Sequence, residues 1–91
     1  MISMFVVVSY DISSRGAGDR VRRICEKYLR RIQKSVYEGN ISENKLRRLK
    51  DSVAAAIDAA SDSVIIYRFS SPVFPERERL GVVQINDDEF I

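Results

Sequence analysis

Ninety-one residues suffice for one small domain, and a content of 45% hydrophobic and 31% charged residues argues against a disordered chain. The single cysteine, Cys25, precludes an internal disulfide, and the lack of any histidine removes His-based triads, Cys–His nucleophiles and the usual zinc sites. No apolar run approaches the ~20 residues that span a bilayer, and the N-terminus lacks a secretory pattern, so the expectation is a soluble cytoplasmic protein with no membrane partner.

The first predicted element is the strand "MFVVVSYDI", β-branched and aromatic, and apolar on both faces as far as Tyr10, as a central strand would be. "SSRGAGD" reads as a loop by composition. Asp19 is the expected N-cap of a helix over "RVRRICEKYLRR", with Val21, Ile24, Cys25, Tyr28 and Leu29 on its buried face and Arg20, Arg22, Arg23, Lys27 and Arg30 pointing outward. "RIQKSVYEGNI", with alternating and β-branched character and a Gly39-Asn40 pair, then predicts one bent strand or two short strands sharing a tight connection, without placing the bend within residues 31–41.

Ser42 is the expected N-cap of a second helix, "ENKLRRLKDSVAAAIDAA", whose stripe is Leu46, Leu49, Val53, Ile57 and Ala60. "DSVIIYRFS" mirrors the opening strand. The order strand, helix, strand, strand, helix, strand predicts an α+β fold, the β-α-β-β-α-β ferredoxin-like sandwich with both helices on one sheet face. The single domain 1–91 then divides into a core over residues 4–70 and an arm over residues 71–91. The arm contains "SPVFPERERL" and an extra C-terminal strand within "GVVQI". That strand either adds to the sheet edge of a second copy, giving a homodimer, or folds back onto its own chain.

The net charge of +2 conceals an asymmetry along the chain. Residues 15–50 hold twelve Lys or Arg against four Asp or Glu, whereas residues 51–91 hold three against eight. Six of the eight basic residues from Arg15 to Lys34 are arginine, whose planar fork suits bidentate phosphate contact. Two readings follow: a surface for the phosphate backbone of DNA or RNA, or a solvated helix face.

Asp11, at the end of an apolar strand, is the remaining chemical candidate. A carboxylate there either holds a hard divalent cation, alone or facing its symmetry mate in a dimer, or caps the following loop through backbone N–H groups. "RGAGDR" lacks the spacing of a phosphate-binding loop.

"VVSYDIS" closing the first strand, an arginine-rich helix, "RRIQKSVYEGNIS" leading into a charged helix and "SVIIYRF" as the closing strand together resemble the CRISPR-associated Cas-two family. The resemblance covers nearly all of residues 4–70. It implies a ferredoxin-like homodimer with a swapped C-terminal strand, which works with the Cas-one integrase to capture foreign DNA as new spacers. Some members act as Mg²⁺-dependent endonucleases on single-stranded RNA or double-stranded DNA, so the implied cofactor is Mg²⁺, or Mn²⁺ in its place. By the same resemblance Asp11 is the metal-binding and catalytic residue, and Tyr10, Arg20, Arg23, Arg31, Ser35 and Tyr37 are nucleic-acid-binding candidates. Tyr37 stands where phenylalanine is common, and "KYLRR" replaces a glycine that many members carry after the first helix. Competing functions are a purely architectural DNA-binding adaptor, for which the missing acid-base groups speak, and an RNA-cleaving toxin or RNA-binding regulator on the same fold.

Overall fold

The computed structural model describes residues 3–69 and 76–82. Its elements are β1 (Ser3–Asp11), α1 (Arg15–Tyr28), β2 (Arg30–Gln33), β3 (Val36–Ser42), α2 (Glu43–Ala56) and β4 (Ser63–Phe69). The four strands form one antiparallel sheet in the order β2-β3-β1-β4, the ferredoxin-like arrangement expected from the sequence. β1 pairs with β3 on one side and β4 on the other, which is why its apolar run is continuous. Met4, Val6 and Val8 alternate onto the helix-covered face, where they meet Tyr37 and Ile41 from β3, Val21 and Cys25 from α1, and Leu46, Leu49 and Val53 from α2.

Two local expectations are corrected, and one position left open by the sequence is fixed. First, α1 begins at Arg15, five residues before the expected start, and Asp19 is not its cap. Ser14 caps it: the Ala17 N–H donates to Ser14 Oγ at 3.1 Å, and Ala17, Val21 and Cys25 make one buried stripe at four-residue spacing. A well-placed cap and a continuous apolar stripe outweigh two glycines in the first turns, so most of "SSRGAGD" is helical. At the other end Leu29 is already extended, and Arg30 and Arg31 belong to β2.

Second, the connection that the sequence left unplaced falls at Lys34-Ser35, and Gly39-Asn40 lies inside β3 opposite Val6 and Phe5. Gly39 answers a packing demand, because a Cβ there would stand 3.3 Å from Leu29 Cδ2. Third, α2 has the expected Ser42 cap, with the Lys45 N–H donating to Ser42 Oγ at 3.2 Å, but it ends at Ala56 and leaves Ala60 exposed in a turn. Asp58 stops it: its carbonyl accepts from the Ser61 and Asp62 N–H groups and its Oδ1 from the Ala60 N–H, an alternative to helical bonding that aspartate supplies readily.

Among the described residues no helix covers the second face of the sheet. Strand alternation puts Phe5, Val7, Ser9 and Asp11 of β1 on it, together with Ile65, Tyr67 and Phe69 of β4, which remain exposed. Phe5 is buried there, with its ring 6.0 Å from that of Phe69. Arg77 forms an ion pair with Glu38 of β3, and beyond it Leu80 and Val82 are exposed at 96% and 86%. The expected C-terminal strand and its exchange fall mainly on residues 83–91, outside the described residues. Among the described residues no helix is long and apolar enough to cross a membrane.

Candidate functional site

The last two residues of β1 are Tyr10 and Asp11, paired in register with Val64 and Ser63 of β4. On the other side the Tyr10 N–H donates to the Ser35 carbonyl at 3.1 Å, which fixes the strand end against the β2–β3 turn. The chain then passes through Ile12–Ser14 into α1. Strand end, helix N-terminus and turn thereby enclose an open cleft of about 680 Å³ lined by Tyr10, Asp11, Arg15, Arg22, Arg31 and Lys34 among others.

The electrostatics of the cleft favour an anion. Four cationic side chains line it against the carboxylates of Asp11 and Asp19. No acidic residue lies in the first turn of α1 to offset the positive end of the helix dipole. Arg22 is shared with Glu26 at 3.3 Å and with Asp19 at 4.0 Å, exposed pairs that a phosphate can displace at small cost. Arg31 folds over the turn, donating from Nε to the Gln33 carbonyl at 3.4 Å and from Nη2 to the Lys34 carbonyl at 3.3 Å.

Tyr10 is half-buried on Tyr37, which is fully buried and donates its hydroxyl to Glu26 Oε2 at 3.2 Å. Burial raises the pKa of both phenols, that of Tyr37 more strongly. Burial also pushes the Cys25 thiol up to about 12, which leaves it a packing residue and no nucleophile near neutral pH.

Of the residues singled out from the sequence, Tyr10, Asp11, Arg31 and Ser35 come together in this cleft. Arg20 lines an adjoining hollow between the start of α1 and the α2–β4 loop. Arg23 is exposed on α1 and lines neither. Tyr37 has no surface to offer a ligand and serves as the floor beneath Tyr10. Arg15, Arg22 and Lys34 belong to the basic run read from the sequence as a backbone-binding surface, but nothing in the sequence singles them out as the members that line the cleft. With Ser14 as cap, Arg15, Gly18, Asp19 and Arg22 follow at helical spacing and share the cleft-facing side, so the signal was the cap.

Asp11 is exposed and offers one carboxylate. Among the described residues no three Asp, Glu or Cys side chains gather into a metal-holding group. The donor set suits Mg²⁺, which is commonly held by one or two carboxylates with waters and substrate phosphate completing its shell. A second Asp11 from another copy would supply the second carboxylate.

A sequence profile of the family described as CRISPR associated protein Cas2 matches residues 4–77. The chain belongs to the Cas2 family. It is 41% identical over 92 residues to a CRISPR-associated endoribonuclease Cas2 of Fusobacterium nucleatum, covering 97% of this chain and 87% of that one. It is 35% identical over 89 residues to the protein of the same name from Methanocaldococcus jannaschii, covering 98% and 77%. A solved Cas2 crystal structure superposes with a TM-score of 0.79 at 31% identity, covering 89% of this chain and 90% of that one. Streptococcus pyogenes Cas2 gives 0.62 at 29% identity, covering 70% and 83%. The Cas2 profile spans every element from β1 to β4, so the cleft at the end of β1 lies wholly within the matched region.

Proposed function

We propose that this Cas2-family protein is a homodimeric, Mg²⁺-dependent endonuclease acting on the phosphodiester backbone of RNA. The observation that carries the reading is the exposed Asp11 carboxylate at the mouth of a cleft lined by Arg15, Arg22, Arg31 and Lys34. Relatives at 35–41% identity bear the name endoribonuclease.

In this reading the four cations and the N-terminus of α1 bind successive phosphates, and the face of Tyr10 stacks on an unpaired base. Bound Mg²⁺, or Mn²⁺, would supply charge neutralisation at the phosphoryl and departing oxygens. Asp11 holds that ion, and Ser35 and the Lys34 ammonium fix the backbone beside it. Dimerisation uses the face that carries Asp11, on which Ile65, Tyr67 and Phe69 are exposed. Twofold pairing through that face brings two Asp11 side chains together. Cleavage of an RNA oligonucleotide in Mg²⁺ or Mn²⁺, abolished by EDTA and seen with purified dimer, tests the reading; metal-independent cleavage contradicts it.

A second reading is favoured by one observation: no histidine occurs, and burial raises the pKa of Tyr10 and of Cys25, so neither that phenol nor that thiol carries a proton near neutrality. In this reading the dimer is an architectural, DNA-binding partner of the Cas-one integrase in spacer acquisition. Undiminished spacer integration with Asp11→Asn, together with a wild type that cleaves nothing, would decide for it.

A further inference from the structure

Asp62 lies outside the cleft, just before β4, yet its carboxylate joins two loops that meet beside Asp11. Oδ1 accepts from the Ser13 backbone N–H at 2.9 Å and from the Ser13 hydroxyl at 3.0 Å, while Oδ2 accepts from the Asp58 backbone N–H at 2.8 Å. Ser61 Oγ lies 3.5 Å from Oδ1 and 3.4 Å from Ser13 Oγ, closing the cluster. Ser13 is two residues past Asp11 and one before the Ser14 cap, and Asp58 directly follows Ile57, the C-cap of α2. One carboxylate therefore ties the strand-to-helix loop to the end of the other helix, 49 positions along the chain.

The sheet holds Asp11 on one side only, through its pairing with Ser63. On the other side the chain leaves β1 through Ile12, which packs against the core, and Ser13, whose N–H and hydroxyl Asp62 holds. We propose that Asp62 is the positioning residue of the site: it fixes the β1–α1 loop, and with it the aim of the Asp11 carboxylate and of the first turn of α1. The inference rests on the reading of Asp11 as a metal ligand. Both N–H groups that Asp62 accepts from are exposed, so water can replace the carboxylate as their acceptor. Its loss should cost little stability and much geometry. The depressed pKa of Asp62, due first to the Asp58 N–H and next to that of Ser13, agrees with a carboxylate that is ionised and in use.

The test compares full-length wild type, Asp62→Ala and Asp62→Asn. The Mg²⁺ concentration for half-maximal effect is measured twice, by RNA cleavage and by the rise in melting temperature without RNA. Amide hydrogen exchange at Ser13 is followed beside core amides of β1. Asp62→Ala should raise the half-maximal Mg²⁺ about tenfold or more, as loss of an outer-shell partner does, and speed exchange at Ser13 but not in β1. Asp62→Asn keeps one acceptor oxygen and should fall between. Should Asp62→Ala fail to fold, Asp62→Asn and Ser13→Ala carry the same readouts. An unchanged half-maximal Mg²⁺ in folded variants overturns the inference. A wild type that binds Mg²⁺ by melting but never cleaves refutes hydrolysis and still scores the positioning role; a wild type indifferent to Mg²⁺ in both assays overturns both.

Discussion

The ring of Tyr10 lies nearly parallel to that of Tyr37, with centroids 6.2 Å apart and planes at 15°. One ring is half-exposed in the cleft and the other has no exposed surface, so the pair is a platform and its support. Tyr37→Phe keeps the ring that supports Tyr10 and loses the hydroxyl's bonds to Glu26 and Tyr10, at ~1–2 kcal/mol of stability, with RNA affinity less affected than by loss of the Tyr10 ring. Tyr10→Ala should do the opposite, costing ~1–3 kcal/mol of single-strand affinity with a small change in melting temperature. Paired melting and binding measurements separate the two, and equal affinity losses would contradict the division of roles.

Nucleic-acid binding through Arg15, Arg22, Arg31 and Lys34 is expected to be mainly electrostatic. Affinity should fall steeply with salt, and each Arg15→Ala, Arg22→Ala or Lys34→Ala change should flatten the log–log salt slope by about 0.7 on a single strand. Sequence preference should be weak, because backbone contacts carry no base code. Fluorescence titrations from low to moderate salt check this, and a flat dependence contradicts it.

The exposed Tyr67 and Ile65 give a direct handle on assembly. Tyr67→Glu puts a charge on a half-exposed position of a single protomer, where surface substitutions cost within ~0.5 kcal/mol, but at the centre of the proposed dimer face, where it cannot be paired. Sedimentation equilibrium should show a folded monomer. A variant that dimerises as tightly as wild type means that the two copies meet elsewhere.

Acid should release the Asp62 clamp. Its folded-state pKa lies below the ordinary value of 3.8, so its contribution to stability is complete above that value and is lost as pH falls through the lower, folded-state value. In Asp62→Asn the acid limb of a melting-temperature profile should therefore lose steepness below pH 3.8 while the profile above it runs parallel to wild type. An identical acid limb in both proteins would show that other carboxylates govern it.

Much of this architecture is legible in the sequence, for physical reasons that differ from place to place. The continuous apolar run of β1 betrays a central strand, and Ser42 followed by the Leu46, Leu49, Val53 stripe betrays α2. The early start of α1 was hidden because glycine content speaks against a helix while the Ser14 cap, one hydroxyl, speaks for it. The bend between β2 and β3 is not legible, because Gly39, a residue common in turns, answers instead to the approach of Leu29, a tertiary constraint. Asp11 stands out as a carboxylate ending an apolar strand. Arg22 and Arg15 do not, because helix register decides which arginines of a basic run meet the cleft. The Asp62 clamp could not be read at all, since it joins Ser13 to the α2–β4 loop across 49 positions.

In the proposed reaction Asp11 carries a metal-dependent attack on the RNA backbone. Single-turnover cleavage of one RNA oligonucleotide by wild type and Asp11→Asn, purified side by side and titrated with Mg²⁺, tests it most directly. Asn is close to Asp in size and lacks the charge, so the variant should fold, dimerise and bind RNA as wild type does. Its cleavage rate should fall by ~100-fold or more and its melting temperature should stop responding to Mg²⁺. Full cleavage by Asp11→Asn at the wild-type Mg²⁺ midpoint would contradict the account and leave Asp11 as a cap for the β1–α1 loop.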